Sequence, residues 1–132
     1  MRLSSCLLEY FNQYLPQIKG TSEQSIKTYR QTFSLFLYFL GNFHSIKIKS
    51  LKIEHLSADA VLSFLHHLET QRKNTVQTRN NRLAVIKSLA KMIRFMHPDK
   101  KHIAEAILNI PQKRAQKKIM GFLYFDEVIK VF

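Results

Sequence analysis

The sequence predicts an all-α fold: a bundle of four main helices with a short fifth helix and a C-terminal linker. Three observations carry this. Only three glycines and three prolines interrupt 132 residues, so few positions break a helix. Apolar residues recur at spacings of three and four over long segments, the period of a helix face. At 45% apolar residues and this length, the chain has the material for one domain with its own core.

The first helix is expected from about Leu3 to Tyr14, with Leu7, Leu8, Phe11, Tyr14 and Leu15 on one face, stopping near Pro16 and Gly20. The second starts at Ser22, an N-cap residue with Glu23 in the first turn. It presents Ile26, Tyr29, Phe33, Phe36, Leu37 and Leu40 before Gly41 ends it. Residues 42 to 56, with period-two pieces at Ile46, Ile48 and Ile53, read as a long connection. The third helix opens at Ser57, with Asp59 in its first turn, and carries Val61, Leu62, Phe64, Leu65 and Leu68. The fourth begins at Asn74 or Thr75 and runs to about Met96, where Pro98 stops it. At 100° per residue, Leu83, Ile86, Leu89, Ala90 and Ile93 share one face, while Gln77, Asn80, Asn81, Lys87, Lys91 and Arg94 take the other side or its flanks. A short fifth helix spans about Lys101 to Leu108, ahead of Pro111. Residues 112 to 118 form a basic tether, and Asp126 to Phe132 reads as the first turns of another helix.

Composition excludes several classes. One cysteine, Cys6, cannot form a disulfide within the chain, and a reducing cytoplasm is the expected compartment. No apolar stretch approaches the roughly 20 residues needed to span a bilayer. The N-terminus interrupts its apolar pattern with Glu9, Asn12 and Gln13, unlike a signal peptide.

The net charge of +12 is concentrated. Residues 71 to 118 hold thirteen lysines and arginines against Asp99 and Glu105, whereas the other 84 residues hold eight bases and seven acids. Clustering of this kind points to a polyanion partner. An anionic membrane surface is a further option, but with Phe95 as its one aromatic the stretch lacks the set of Trp and Phe anchors of an interfacial helix.

Catalytic constellations are mostly missing. Gly20, Gly41 and Gly121 stand too far apart for a phosphate loop. His66 and His67 are adjacent, so on a helix they diverge by about 100° and cannot chelate together; no metal and no cofactor is expected. Cys6, among Leu3, Leu7 and Leu8, reads as a small buried hydrophobe. Lysine and arginine can neutralise phosphates, and asparagine and glutamine can bond backbone oxygens or adenine edges from a helix in the major groove.

The run Thr78-Arg79-Asn80-Asn81-Arg82-Leu83-Ala84-Val85-Ile86-Lys87-Ser88 resembles the second signature of the N-terminal core-binding domain of tyrosine recombinases, the phage and transposon integrases. Ser22, Ser25, Tyr29, Phe33, Phe36 and Leu40 are similar to its first signature. Ile110-Pro111, the basic tether and Phe122-Leu123-Tyr124-Phe125-Asp126-Glu127-Val128 resemble the linker and opening helix of the catalytic domain. Ser25 replaces a usual threonine, Leu89 stands where an aromatic is common, and Phe125 sits where a capping threonine or serine is expected.

The resemblance implies an orthogonal, SAM-like helical domain over 1–110, an interdomain linker over 111–121 and the start of a catalytic domain over 122–132. It implies binding of double-stranded DNA at a recombination site, as one half of a clamp, with other recombinase subunits as further partners. The isolated domain is expected to be monomeric. The family's catalytic set (two arginines, a lysine, a His-x-x-Arg motif and a tyrosine) belongs to the C-terminal domain, so this chain is not expected to cut DNA. On the second helix, Lys27, Thr28 and Arg30 are the expected DNA contacts; on the fourth, Gln77, Asn80, Asn81, Lys87 and Lys91; on the tether, Lys113, Arg114, Lys117 and Lys118. Thr75 is open between N-cap and phosphate ligand, and the cap role suffices. Arg79 and Arg82 fall near the core face and are open between DNA and a bridge to a carboxylate or to the backbone. The alternative is a helical protein-interaction module or an integrase-derived regulator.

Overall fold

A computed structural model describes residues 1–114. Among the described residues the chain is all-helical, with five α-helices and no strand. They are α1 (Leu3–Glu9), α2 (Glu23–His44), α3 (Ala58–Thr70), α4 (Val76–Met96) and α5 (Lys101–Leu108). Three N-caps come from hydroxyls: Ser22, Ser57 and Thr75 accept the amides of Ser25, Ala60 and Thr78. Each satisfies one of the amides a helix start leaves without an internal partner.

The first helical run passes Pro16 and ends at Ile18, ahead of Gly20, within the expected stop. Beyond α1 it widens into a π-helical segment, Tyr10–Ile18, that contains the proline. A proline inside an α-helix lacks its amide donor and drives its ring against the carbonyl four residues back, and a wider turn moves that carbonyl away. Here the Gln17 side chain donates to the Asn12 carbonyl at 3.4 Å, and the Lys19 amide reaches the Tyr14 carbonyl at 2.8 Å, five residues back. Helix α2 likewise passes Gly41 and ends at His44, with Ser45 in the left-handed conformation (φ 56°). Gly41 is a packing residue, since a Cβ there would meet the Ile46 carbonyl oxygen at 3.1 Å. Leu8 and Leu62, expected on buried faces, are exposed.

The core is aromatic at its centre. Phe36 is fully buried, with ring centroids 4.9 Å from Phe64 and 6.4 Å from Phe33, and Phe33 meets Tyr10 edge-on at 5.4 Å. Helix α4 is the spine: besides its expected apolar face, Val85, Ser88 and Met92 are buried, because the π-helical segment, α2, α3 and α5 all pack on it. The connection 45–57 is pinned by Leu51, Ile53 and Leu56, all in the core. It also pairs with the N-terminus, the Leu3 amide donating to the Leu51 carbonyl at 2.9 Å. Helix α5 packs on α4 and α3 through Ile103, Ala104 and Ile107, and Ile110 is buried just beyond it.

Candidate nucleic-acid interface

Helix α2 turns Ile26 into the core and leaves Lys27, Thr28 and Arg30 exposed. The Arg30 guanidinium lies over the Phe11 ring, 5.0 Å from its centroid, a cation–π contact that restrains the side chain while leaving its charge accessible. Thr28 donates its hydroxyl to the Gln24 carbonyl at 3.2 Å. Lys27 and Arg30 border an open depression of about 440 Å³ with Phe11, Pro16, Glu23 and Ile26.

On α4 the Gln77 amide donates to Asn81 at 3.1 Å, and both residues are exposed. About two and three turns beyond Asn81, Lys87 is half-buried and Lys91 exposed, and Arg94 extends the row. Burial and the neighbouring Lys91 both push the Lys87 ammonium below the usual lysine range. Burial disfavours the charged form of an ammonium, and a like charge one turn away adds to the effect. Among the described residues none of Lys27, Arg30, Lys87, Lys91 and Arg94 lies in an ion pair. Three acids pair with other groups: Glu54 takes Lys100 at 2.6 Å, Glu9 takes His97 at 2.7 Å, and Glu69 takes Lys113 at 3.0 Å.

Other expected contacts prove to be engaged within the protein. Thr75 caps α4, accepting from the Thr78 amide at 3.1 Å. Asn80, expected to face DNA, spends its carboxamide on the tether: Nδ2 donates to the Lys113 carbonyl at 2.8 Å and Oδ1 accepts the Lys113 amide at 2.9 Å. Lys113, expected to grip phosphate, places its ammonium between both Glu69 oxygens. A helical wheel shows only the angle at which Asn80 leaves α4, and the tether that returns across that angle is a tertiary feature. Arg114 is exposed, while Lys117, Lys118 and the helix expected from Asp126 lie outside the described residues.

The two arginines left open both bridge inward. Arg79 is buried, its Nε 3.8 Å from Glu69 and one Nη donating to Asn80 at 2.9 Å; Arg82 donates to the buried Thr32 hydroxyl at 3.0 Å, tying α4 to α2. Neither Glu69 nor Thr32 carries a local sequence signal of this role. Of the chemistry weighed and set aside, Cys6 is fully buried, and burial and Glu9 push its thiol up to about 12, too high to supply thiolate at neutral pH. His67 packs against Phe39, with ring centroids 5.3 Å apart and the planes tilted by 39°, while His66 is exposed. No helix among the described residues is long and apolar enough to cross a membrane.

Comparison with known proteins adds the family. Two proteins of Sinorhizobium fredii (strain NGR234) align over 126 residues, 96% of this chain. "Putative integrase/recombinase y4rD" is 32% identical and "Putative integrase/recombinase y4rC" 31% identical. The aligned part is 45% and 38% of their respective lengths, so the chain spans less than half of each. No solved structure matches the chain. Residues 7–95 match the N-terminal SAM-like domain of phage integrases, a span from the middle of α1 almost to the end of α4. Its five helices fit that description, and the chain belongs to the phage integrase N-terminal SAM-like domain family.

Proposed function

We propose that this domain binds duplex DNA at a recombination site and holds one side of it for a recombinase. Lys27, Thr28 and Arg30 on α2 and Gln77, Asn81, Lys87 and Lys91 on α4 face the duplex, with Arg114, Lys117 and Lys118 adding phosphate contacts from the tether. Strand cleavage falls to the family's catalytic domain, and other recombinase subunits are the protein partners. One observation carries the reading: five bases on α2 and α4 stand outside any ion pair among the described residues, even though Glu23 borders the same depression as Lys27 and Arg30. Neighbouring unpaired cations weaken a fold through repulsion, and a phosphate backbone removes that repulsion by displacing counterions.

Titration of the chain into labelled duplex DNA, read by fluorescence anisotropy, tests it. With about eight phosphate contacts, affinity is expected to fall by roughly three to five decades between 50 and 200 mM salt. Salt-independent association, or none at 50 mM, would overturn the proposal. A protein-interaction role is favoured by a different feature. Phe95 and Ile18 are exposed beside Tyr14, Lys91 and Arg94 around an open groove of about 440 Å³. Self-association on gel filtration without DNA would support that second reading.

A further inference from the structure

We infer that Asn80, Arg79 and Glu69 form a latch that sets the direction in which the chain leaves the helical bundle. Residues 109–114, which follow α5, form no regular element, yet they are held at two points: Ile110 sits in the core, and Lys113 is fastened to α4 and α3. The Asn80 carboxamide treats Lys113 as a strand treats its partner, giving one hydrogen bond to its carbonyl (2.8 Å) and taking one from its amide (2.9 Å).

The amide orientation is unambiguous. Oδ1 faces two N–H donors, from Lys113 and from Arg79 Nη1 (2.9 Å), and Nδ2 faces a carbonyl; the flipped arrangement would set donor against donor. Arg79 is itself held, its guanidinium buried beside Glu69. The same Glu69 grips the Lys113 ammonium with both oxygens, at 3.0 and 3.1 Å. One carboxylate on α3 and one amide on α4 thus clamp the backbone and side chain of a single tether residue, with Pro111 between the latch and the Ile110 anchor fixing φ near its only favourable value. Asn80 and Glu69 act as positioning residues: they orient whatever follows residue 114 relative to α4.

The latch is measurable on the free protein, so its test does not depend on DNA binding. Hydrogen exchange should show the Lys113 amide protected in the native chain and about tenfold faster in Asn80→Ala, with the amides of α4 from Leu83 to Ile93 unchanged. Trypsin cleavage after Lys113 should rise by a similar factor in Asn80→Ala and also in Glu69→Gln, which keeps the Asn80 amide but removes the charge that holds the lysine. For direction, spin labels at Lys101→Cys and Arg114→Cys should give a narrow distance distribution that broadens in Asn80→Ala. Unprotected Lys113 in the native chain would overturn the latch. So would an equally broad distance distribution with and without Asn80 in a protein of unchanged helicity.

Discussion

Single residues show how closely this bundle is fitted. Gly41 lies in α2 where alanine would ordinarily favour the helix by up to about 1 kcal/mol. Its Cβ would crowd a backbone carbonyl at 3.1 Å and the Ile48 side chain at 3.3 Å, and overpacking of that sort costs about 1–3 kcal/mol. Crowding against backbone outweighs propensity, so Gly41→Ala is expected to destabilise the domain by about 1 kcal/mol in urea unfolding; a stabilised variant would show that the 45–48 turn gives way freely. Glu54 offers a pH test. The hydrogen bond from Lys100, and its own backbone amide after it, lower its carboxyl from 4.5 to about 2. A folded value below the unfolded one stabilises above about 4.5 and loses that contribution as the pH falls towards about 2. Glu54→Gln should therefore melt lower than the native chain at pH 6 and match it near pH 2. Because Glu54 is half exposed, the pH 6 difference should be small and shrink in high salt.

The helices carry the functional argument. Helix α2 and helix α4 each bury an apolar face and turn bases the other way, and Arg82 to Thr32 ties the two together. If α4 lies along the duplex, replacing Lys87 and Lys91 together by alanine should weaken binding to all sequences alike and reduce the magnitude of the salt slope by about 2. Unchanged affinity would mean that another face of α4 meets the DNA. The half-buried Lys87 should contribute the more, since the opposite charge of a phosphate offsets both the cost of its burial and its repulsion by Lys91. Helix α1 shows what local rules miss. Pro16 reads as a stop because an α-helix cannot hold it, yet the chain continues by changing helix type, with Gln17 covering the Asn12 carbonyl. The wider segment holds Tyr14 and Leu15 in the core, on the face expected of them, and places Phe11 under Arg30.

Over the molecule as a whole, periodicity and capping made the fold class readable. Each helix needs one apolar stripe, and Ser22, Ser57, Thr75 and Pro98 mark its limits within a few residues. The spans of α4 and α5 and the inward faces of α2 and α4 follow from residues close together in the chain. Charge segregation was readable too, because clustering along the sequence becomes clustering along a helix. Pairing was not. Asn80 and Lys113 are 33 residues apart, Lys113 and Glu69 44, and Arg82 and Thr32 50. No local pattern distinguishes an asparagine that is free for a ligand from one that holds a returning segment. Local chemistry, repeated every three or four residues, was enough to specify helices, their buried faces and a basic stretch. Which basic and amide groups are left open to a partner depended on packing, because a hydrogen bond or ion pair forms only where folding brings distant donors and acceptors within about 3 Å.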